Sequence, residues 1–213
     1  MKQSRGLATM AKEAYSTLIF DLDSTLYQSP ELLKYRTELT INWIAKKSNL
    51  TQSQSQSFYH NLSDESQHPY DGFTSLGLTI DDYFENVSYK ITPATFVENN
   101  RLLDNILSEV GSEIVITSLA PHSYIRQMTD AIGISEHISA IYNPYQDANS
   151  HSKYSIYKQF SDEDVLVIGD SYARDIQPAI ELGFDTVHLA PDCSIPDAHT
   201  CIDRIEEIGN YII

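Results

Sequence analysis

The sequence predicts an α/β fold, a Rossmann-like parallel sheet core with a helical cap inserted after the first strand. Three observations predict it. Short, continuous apolar runs end abruptly in polar residues. Segments with helix start and stop signals separate those runs, and strand and helix alternate. One interval, residues 28–99, lacks a convincing buried strand and reads as helical throughout.

The first observation sets the sheet type. Strands covered by helices on both faces stay apolar along their length, whereas strands with one wet face alternate. Thr17-Leu18-Ile19-Phe20 leads into Asp21, and Ile114-Val115-Ile116 into Thr117-Ser118. Val165-Leu166-Val167-Ile168 leads into Gly169-Asp170, and Thr186-Val187-His188-Leu189 into Ala190-Pro191. Between them, residues 121–132 open on a first-turn proline and stop at Gly133, the usual asymmetry of helix ends. Residues 101–110 stop at Gly111 and residues 173–182 at Gly183, while 153–160 fill the gap before the Val165 run. Such alternation implies right-handed crossovers. Within the insert, 31–48, 52–62 and 80–87 read as helices, with a stretch punctuated by Pro69, Gly72 and Gly77 between the last two. The expected division is a core of 15–27 and 100–213, a cap of 28–99, and an unstructured lead-in over 1–14. That lead-in carries Lys2, Arg5 and Lys12 but no apolar stretch of the kind a secretory signal needs.

Length and charge narrow the function classes. At 213 residues there is room for one core domain and a modest insertion. No apolar run approaches the roughly 18 residues that span a bilayer, so no membrane partner is expected. Thirty acidic residues against 14 Lys plus Arg give a formal charge of −16, which argues against a nucleic-acid polymer as partner. A small phosphorylated metabolite stays compatible, because one local cation can outweigh the global field. Two cysteines, Cys193 and Cys201, are too few for a disulfide scaffold or a zinc site. They read as reduced thiols in a cytoplasmic protein.

Ligands of open parallel sheets sit outside the carboxyl ends of the strands, so the residues just after each apolar run carry the chemistry. They are Asp21 and Asp23, Thr117 and Ser118, Asp170 and Asp175, joined by Lys153 at a helix start. Acids, a hydroxyl pair and a lysine in one crevice form a set for phosphoryl transfer. A carboxylate attacking a phosphate dianion needs a divalent cation to offset like charge, and hard oxygen ligands such as Asp21 and Asp170 suit Mg²⁺. Attack by Asp21 would give an aspartyl phosphate. Asp23 would reach the leaving oxygen, with a pKa expected to be raised by neighbouring carboxylates, first donating a proton and then deprotonating water. Thr117, Ser118 and Lys153 would hold the equatorial phosphate oxygens.

These residues carry a resemblance. Phe-Asp-Leu-Asp-Ser-Thr-Leu-Tyr over 20–27 resembles the first signature of the haloacid dehalogenase (HAD) superfamily, Asp-x-Asp-x-Thr after a strand. Ile-Val-Ile-Thr-Ser over 114–118 resembles the second motif, Lys153 the third, and Val-Ile-Gly-Asp-Ser-Tyr-Ala-Arg-Asp over 167–175 the fourth. All four stand in the superfamily's order, over residues 17 to about 190. The resemblance implies Asp21 as nucleophile and Asp23 as acid/base, with the Asp23 backbone carbonyl on the metal. It also implies Asp170 as a Mg²⁺ ligand, Asp175 as its support, and 28–99 as a cap closing over the substrate. The chain departs from the pattern at Ser118, where members often have Asn, and at Tyr154, where many have Pro.

Residues 70–78 with Asp82-Tyr83 are similar to the cap of the pyrimidine 5′-nucleotidase-like branch, and Thr25-Leu26-Tyr27 suits it too. That likeness implies a nucleoside 5′-monophosphate substrate with Tyr70, Phe73 and Thr74 near it, although aromatic residues in caps more often pack than stack. Other readings stay open: a sugar phosphate or phosphoglycolate as substrate, a phosphomutase, or a HAD-type scaffold used for binding or regulation. A dehalogenase is disfavoured, since Asp23 supplies an acid that dehalogenation does not need.

Overall fold

The computed structural model describes residues 15–65, 69–191 and 200–212; the lead-in expected over 1–14 lies outside them. Six parallel strands form one sheet in the order β3-β2-β1-β4-β5-β6. They are β1 (Thr17–Phe20), β2 (Glu113–Thr117), β3 (Ala140–Tyr142), β4 (Val165–Gly169), β5 (Asp185–Leu189) and β6 (Thr200–Ile202). The four runs read from sequence are β1, β2, β4 and β5, the interior of the sheet. Both edges, β3 and β6, were not foreseen; each is three residues long and only partly buried at most positions, too short to show a pattern.

Burial on two faces explains the apolar runs. Leu18, Phe20, Ile114, Ile116, Leu166 and Ile168 pack on one side, with Leu103 and Leu107 of α5 (Arg101–Ser108) and Ile125, Met128 and Ile132 of α6 (His122–Ile132). Ile19, Val115, Val165 and Val167 pack on the other, against Ile156 and Tyr157 of α8 (Tyr154–Tyr157) and Ala179 of α9 (Gln177–Glu181). Between α6 and α8 lies α7 (Pro144–Ala148), and α10 (Gly209–Ile212) ends the described chain.

From β1 to α5 the described residues form no strand, only one isolated bridge between Asp23 and Tyr27, and the longer elements are helices. They are α1 (Pro30–Lys47), α2 (Gln52–Glu65), α3 (Pro69–Ser75), α4 (Ile80–Asn86) and two short 3₁₀ turns. The stretch punctuated by Pro69 and Gly72 is therefore helical, with Pro69 at its start, where a missing N–H costs nothing. This insert has its own apolar cluster, including Trp43, Ile44, Phe73, Ile80 and Phe84, and Leu119 and Tyr145 of the sheet domain pack against it.

Helix α1 shows why the chain turns helical on leaving the sheet. Ser29 caps it, its hydroxyl accepting from Leu32 N at 3.2 Å; Pro30 and Glu31 open the first turn and Lys46 and Lys47 close the last. The same hydroxyl donates to Phe96 O at 3.0 Å, so one side chain ties the entry of the insert to its exit. Residues 173–182 differ from the regular helix expected there. Tyr172–Ile176 is a π-turn, and only Gln177–Glu181 is α-helical.

Cys201 on β6 is disulfide-bonded, which corrects the expectation of two reduced thiols: one bridge needs a single partner, not a scaffold. Cys193 lies outside the described residues. Among the described residues no helix is long and apolar enough to cross a membrane.

Loss of the Ser29 hydroxyl removes both the helix cap and the tether to Phe96. Ser29→Ala should cost about 1–2 kcal/mol of unfolding free energy, measured by urea denaturation. No loss would show that the two hydrogen bonds contribute nothing net.

Candidate active site

The strand register aligns the site. Phe20 pairs with Ile116 on one side and Ile168 on the other. The next residues, Asp21, Thr117 and Gly169, therefore stand in one row at the carboxyl edge. Asp21 N donates to Ile168 O at 2.8 Å, carrying the β1–β4 ladder one residue further. Thr25 Oγ1 donates to Asp21 Oδ2 at 3.1 Å, and Ser24, with φ of 65°, turns the chain between Asp23 and Thr25 in a left-handed conformation that costs a non-glycine residue energy.

Lys153 joins the row from below. Its ammonium donates to Asp21 Oδ1 and, at 2.6 Å, to Asp175 Oδ1. Lys153 is 4% exposed and Asp175 1%, so these are buried charges that tolerate burial only because they are paired. Asp175 is held a second time, its Oδ2 accepting from Ser171 N at 2.9 Å across the π-turn. A Cβ on Gly169 would overlap the Asp175 Cβ and come within 2.6 Å of its Cγ and Oδ2. Glycine is thus what lets Asp175 lie against the end of β4.

Asp170 completes the acid group: oxygens of Asp21, Asp170 and Asp175 lie within 4.8 Å of one another. His188 Nε2 bonds Asp170 O at 2.9 Å and steadies that loop, a contact the sequence reading did not anticipate. Burial pushes the Asp21 carboxyl up to about 7; Lys153 pulls it down, and Asp175 and Asp170 push it up again. Burial, then the Asp175 charge, raises Asp170 to about 6. Burial would lower the Lys153 ammonium, but Asp175 and Asp21 more than offset it and hold the lysine protonated. Three carboxylates outnumber the Lys153 ammonium they touch and the Arg174 guanidinium in the same cavity wall, and leave an excess of negative charge in a buried place. An all-oxygen donor set with that excess fits Mg²⁺, a hard cation that binds few carboxylates; Asp21 and Asp170 would hold it, with Asp175 behind them.

Asp23 lies in a different environment from the one expected. Burial pushes its carboxyl up, but the Arg36 guanidinium and the hydrogen bonds from Arg36 and Tyr27 outweigh that and hold it below the usual carboxylate range. Arg36 Nη2 donates to Asp23 Oδ1 at 2.6 Å and to Tyr124 OH at 2.6 Å, and Tyr27 OH donates to the same Asp23 oxygen. The expected upward shift is therefore corrected: Asp23 faces a cation from α1, not the other acids. Sequence reasoning missed Arg36, although a signal was present. Leu32, Arg36, Thr40 and Ile44 recur every four residues, and the other three are buried, so Arg36 sits on the inward stripe of α1, where a charge needs a partner.

The remaining expected residues divide. Ser118 lines a cavity of about 270 Å³ together with Asp21, Asp23, Lys153, Asp170 and Asp175. Thr117 is fully buried at the strand end, and its hydroxyl has no partner among the described residues. Tyr70 and Phe73 line the cavity from the insert side, and Tyr70 OH donates to Leu119 O of the sheet domain at 3.0 Å. Thr74 is exposed and outside the lining. Ring faces in the insert pack on each other: Phe73 stacks on Tyr83 at 5.4 Å, and Trp43 meets Phe73 edge-on at 5.0 Å.

No protein-family profile matches the chain, and no curated protein matches it in sequence. Solved structures match it closely in shape. A HAD phosphatase from Thermococcus onnurineus shares 18% identity at a TM-score of 0.62, over 92% of this chain and 96% of that one. YfnB from Bacillus subtilis, solved with bound magnesium, shares 16% at 0.62, over 94% and 99%. CbbY from Rhodobacter sphaeroides, in complex with phosphate, shares 12% at 0.67, over 92% and 96%. The fold is that of HAD-type hydrolases, sheet and helical insert together.

Adding a methyl at Gly169 forces Asp175 away from Lys153. Gly169→Ala should lower the melting temperature by several degrees, a shift corresponding to about 1–3 kcal/mol, and an unchanged melting curve would show that the π-turn yields freely. Raised carboxyls also set a pH dependence. Unfolded aspartates titrate near 4, so between there and the folded values of about 6 and about 7 the metal-free folded state binds more protons than the unfolded one. The stability these two groups contribute is fully present below pH ~4 and lost as pH rises through ~7. In EDTA the melting temperature should fall from pH 5 to pH 8 more steeply for the wild type than for Asp21→Asn; parallel curves would refute the assignment.

Proposed function

We propose that this chain is a magnesium-dependent phosphomonoesterase of the HAD superfamily that acts through a phosphorylated Asp21. The observation that supports it best is the meeting of Asp21, Lys153, Asp170 and Asp175 at the carboxyl edge, beside the unpartnered hydroxyl of Thr117. A bound divalent cation would supply charge neutralisation and orient the phosphate.

The chain's own residues would do the rest. An oxygen of the Asp21 carboxylate attacks phosphorus while the ester bond to the leaving oxygen breaks, and Asp23 gives that oxygen its proton. Water then attacks the aspartyl phosphate, Asp23 takes the proton from the water, and phosphate leaves with Asp21 restored. The Thr117 and Ser118 hydroxyls and the Lys153 ammonium would hold the equatorial oxygens, where charge gathers. Asp23 can donate only after gaining a proton and losing its Arg36 partner, so the arrangement seen is a resting one. The insert over 28–99 would serve as the cap, its Tyr70 and Arg36 already bonded to the sheet domain.

The substrate would be a small phosphorylated metabolite met in the cytoplasm. Tyr70 and Phe73 in the cavity wall support a nucleoside 5′-monophosphate. Arg36, a cation fixed beside the acid, supports a second reading, a smaller ester with an anionic leaving part such as phosphoglycolate.

With Mg²⁺ the purified protein should release phosphate from p-nitrophenyl phosphate. EDTA should abolish the reaction, and Asp21→Asn should lower kcat by about 10³-fold or more. Full activity in Asp21→Asn would exclude the covalent route. Phosphate release in water, in place of a persistent phosphoenzyme, separates a phosphatase from a phosphomutase.

A further inference from the structure

We infer that Arg36 is the specificity-determining residue of the site, and that it selects phosphomonoesters whose leaving part carries a second anionic group, a carboxylate or another phosphate. The inference rests on the phosphomonoesterase reading and deepens it.

Position comes first. Arg36 lies on α1 of the insert, yet its guanidinium lines the cavity next to Asp23, the residue placed to meet the leaving oxygen. Lys153 and the acid trio belong to the phosphate end of the cavity. Arg36 belongs to the other end, where the leaving part of an ester must lie.

Its hydrogen bonding comes second. Contacts to Asp23, Tyr27 and Tyr124 all leave from Nη2, at 2.6, 3.4 and 2.6 Å. Nη1 and Nε donate to no protein acceptor among the described residues. A guanidinium offers five donors in a planar fork that matches carboxylate and phosphate oxygens in pairs. Much of that fork is unused, although the group is held in place by Asp23 and by the Tyr124 ring, whose centroid is 5.3 Å from Cζ.

The walls come third. Phe73 and Tyr83 stack on each other, and Trp43 and Phe73 pack edge to face, so part of their ring surface is taken up within the insert. Less ring face is left for a flat leaving group, and Arg36 is the cation fixed beside Asp23, whereas Arg174, the other arginine of the lining, acts on Asp170. An entering anion would also compete with Asp23 for Arg36. A substrate that takes over the guanidinium frees the acid beside it more readily than one that does not, which couples recognition of the leaving part to the proton donor.

Matched esters test this. With Mg²⁺, kcat/KM would be measured for 2-phosphoglycolate, ethylene glycol bisphosphate, 2-hydroxyethyl phosphate (whose leaving part is uncharged), uridine 5′-monophosphate and p-nitrophenyl phosphate. Wild type should favour one of the two doubly anionic esters over 2-hydroxyethyl phosphate by about 10- to 100-fold, the range a charge-assisted hydrogen bond supplies. The better of the two identifies the anion as carboxylate or phosphate. Arg36→Gln should bring the ratio to within about threefold of unity and Arg36→Lys to an intermediate value; the ratio, not the absolute rate, is the readout. A wild-type ratio near one overturns the inference without any variant, as does an Arg36→Gln protein with an unchanged ratio. Preference for uridine 5′-monophosphate over both doubly anionic esters overturns it in favour of the nucleotide reading. No hydrolysis of any ester, p-nitrophenyl phosphate included, overturns the phosphomonoesterase reading itself.

Discussion

The Lys153 ammonium, buried between Asp21 and Asp175, is the interaction on which the arrangement at the sheet edge depends. Carboxylates brought together out of water repel one another and lose hydration. The parallel register nonetheless forces Asp21 and the Asp170 loop to the same edge, because β1 lies directly beside β4. A lysine at the start of α8 supplies the compensating charge, and Gly169 supplies the room for Asp175 to reach it. The π-turn belongs to the same solution: it brings Asp175 back onto Ser171 N, so the carboxylate is fixed from two directions. The cations at the site, Lys153 and Arg174, still leave the acids in excess, which adds to the upward push of burial on Asp21 and Asp170 and is why a divalent ion suits the place.

Two aspartates two residues apart meet opposite surroundings. Asp21 points into the crevice of acids and is pushed up; Asp23 points towards the insert and is held down by Arg36. Separating the environments of two carboxylates is how one site assigns them different roles. Here the separation comes from architecture, since one acid is served by a lysine of the sheet domain and the other by an arginine of the insert.

Much of this was legible in the sequence, for physical reasons. Interior strands must be apolar on both faces, so β1, β2, β4 and β5 announced themselves and pointed to Asp21, Thr117 and Asp170. Lys153 was legible as a lysine at a helix start, while its pairing with both Asp21 and Asp175 shows only in the structure. The edges were not legible: β3 and β6 are three residues long and half-exposed, and nothing local distinguishes them from loops. Helix α3 was obscured because Pro69 and Gly72 read as breakers, although a proline at a helix start is harmless. The π-turn follows from where Asp175 must sit and not from local propensity. Arg36 does not show in the extent of α1; it shows only on the inward stripe that it shares with Leu32, Thr40 and Ile44.

That stripe also bears on how insert and sheet domain act together. The insert could have rested on the sheet through apolar contacts alone, and Leu119 and Tyr145 provide some. It is additionally bonded at two polar points: Tyr70 to the carbonyl of Leu119, just beyond Ser118, and Arg36 to Asp23 and Tyr124. Both points lie in the cavity wall, one next to Ser118 and one at Asp23. Polar contacts exposed to an incoming ligand can be exchanged for contacts to that ligand at little net cost, whereas an apolar seam cannot. The seat of the insert is therefore most easily altered at the cavity, and a ligand that replaced those hydrogen bonds would shift the balance between insert and sheet by its differential contacts alone.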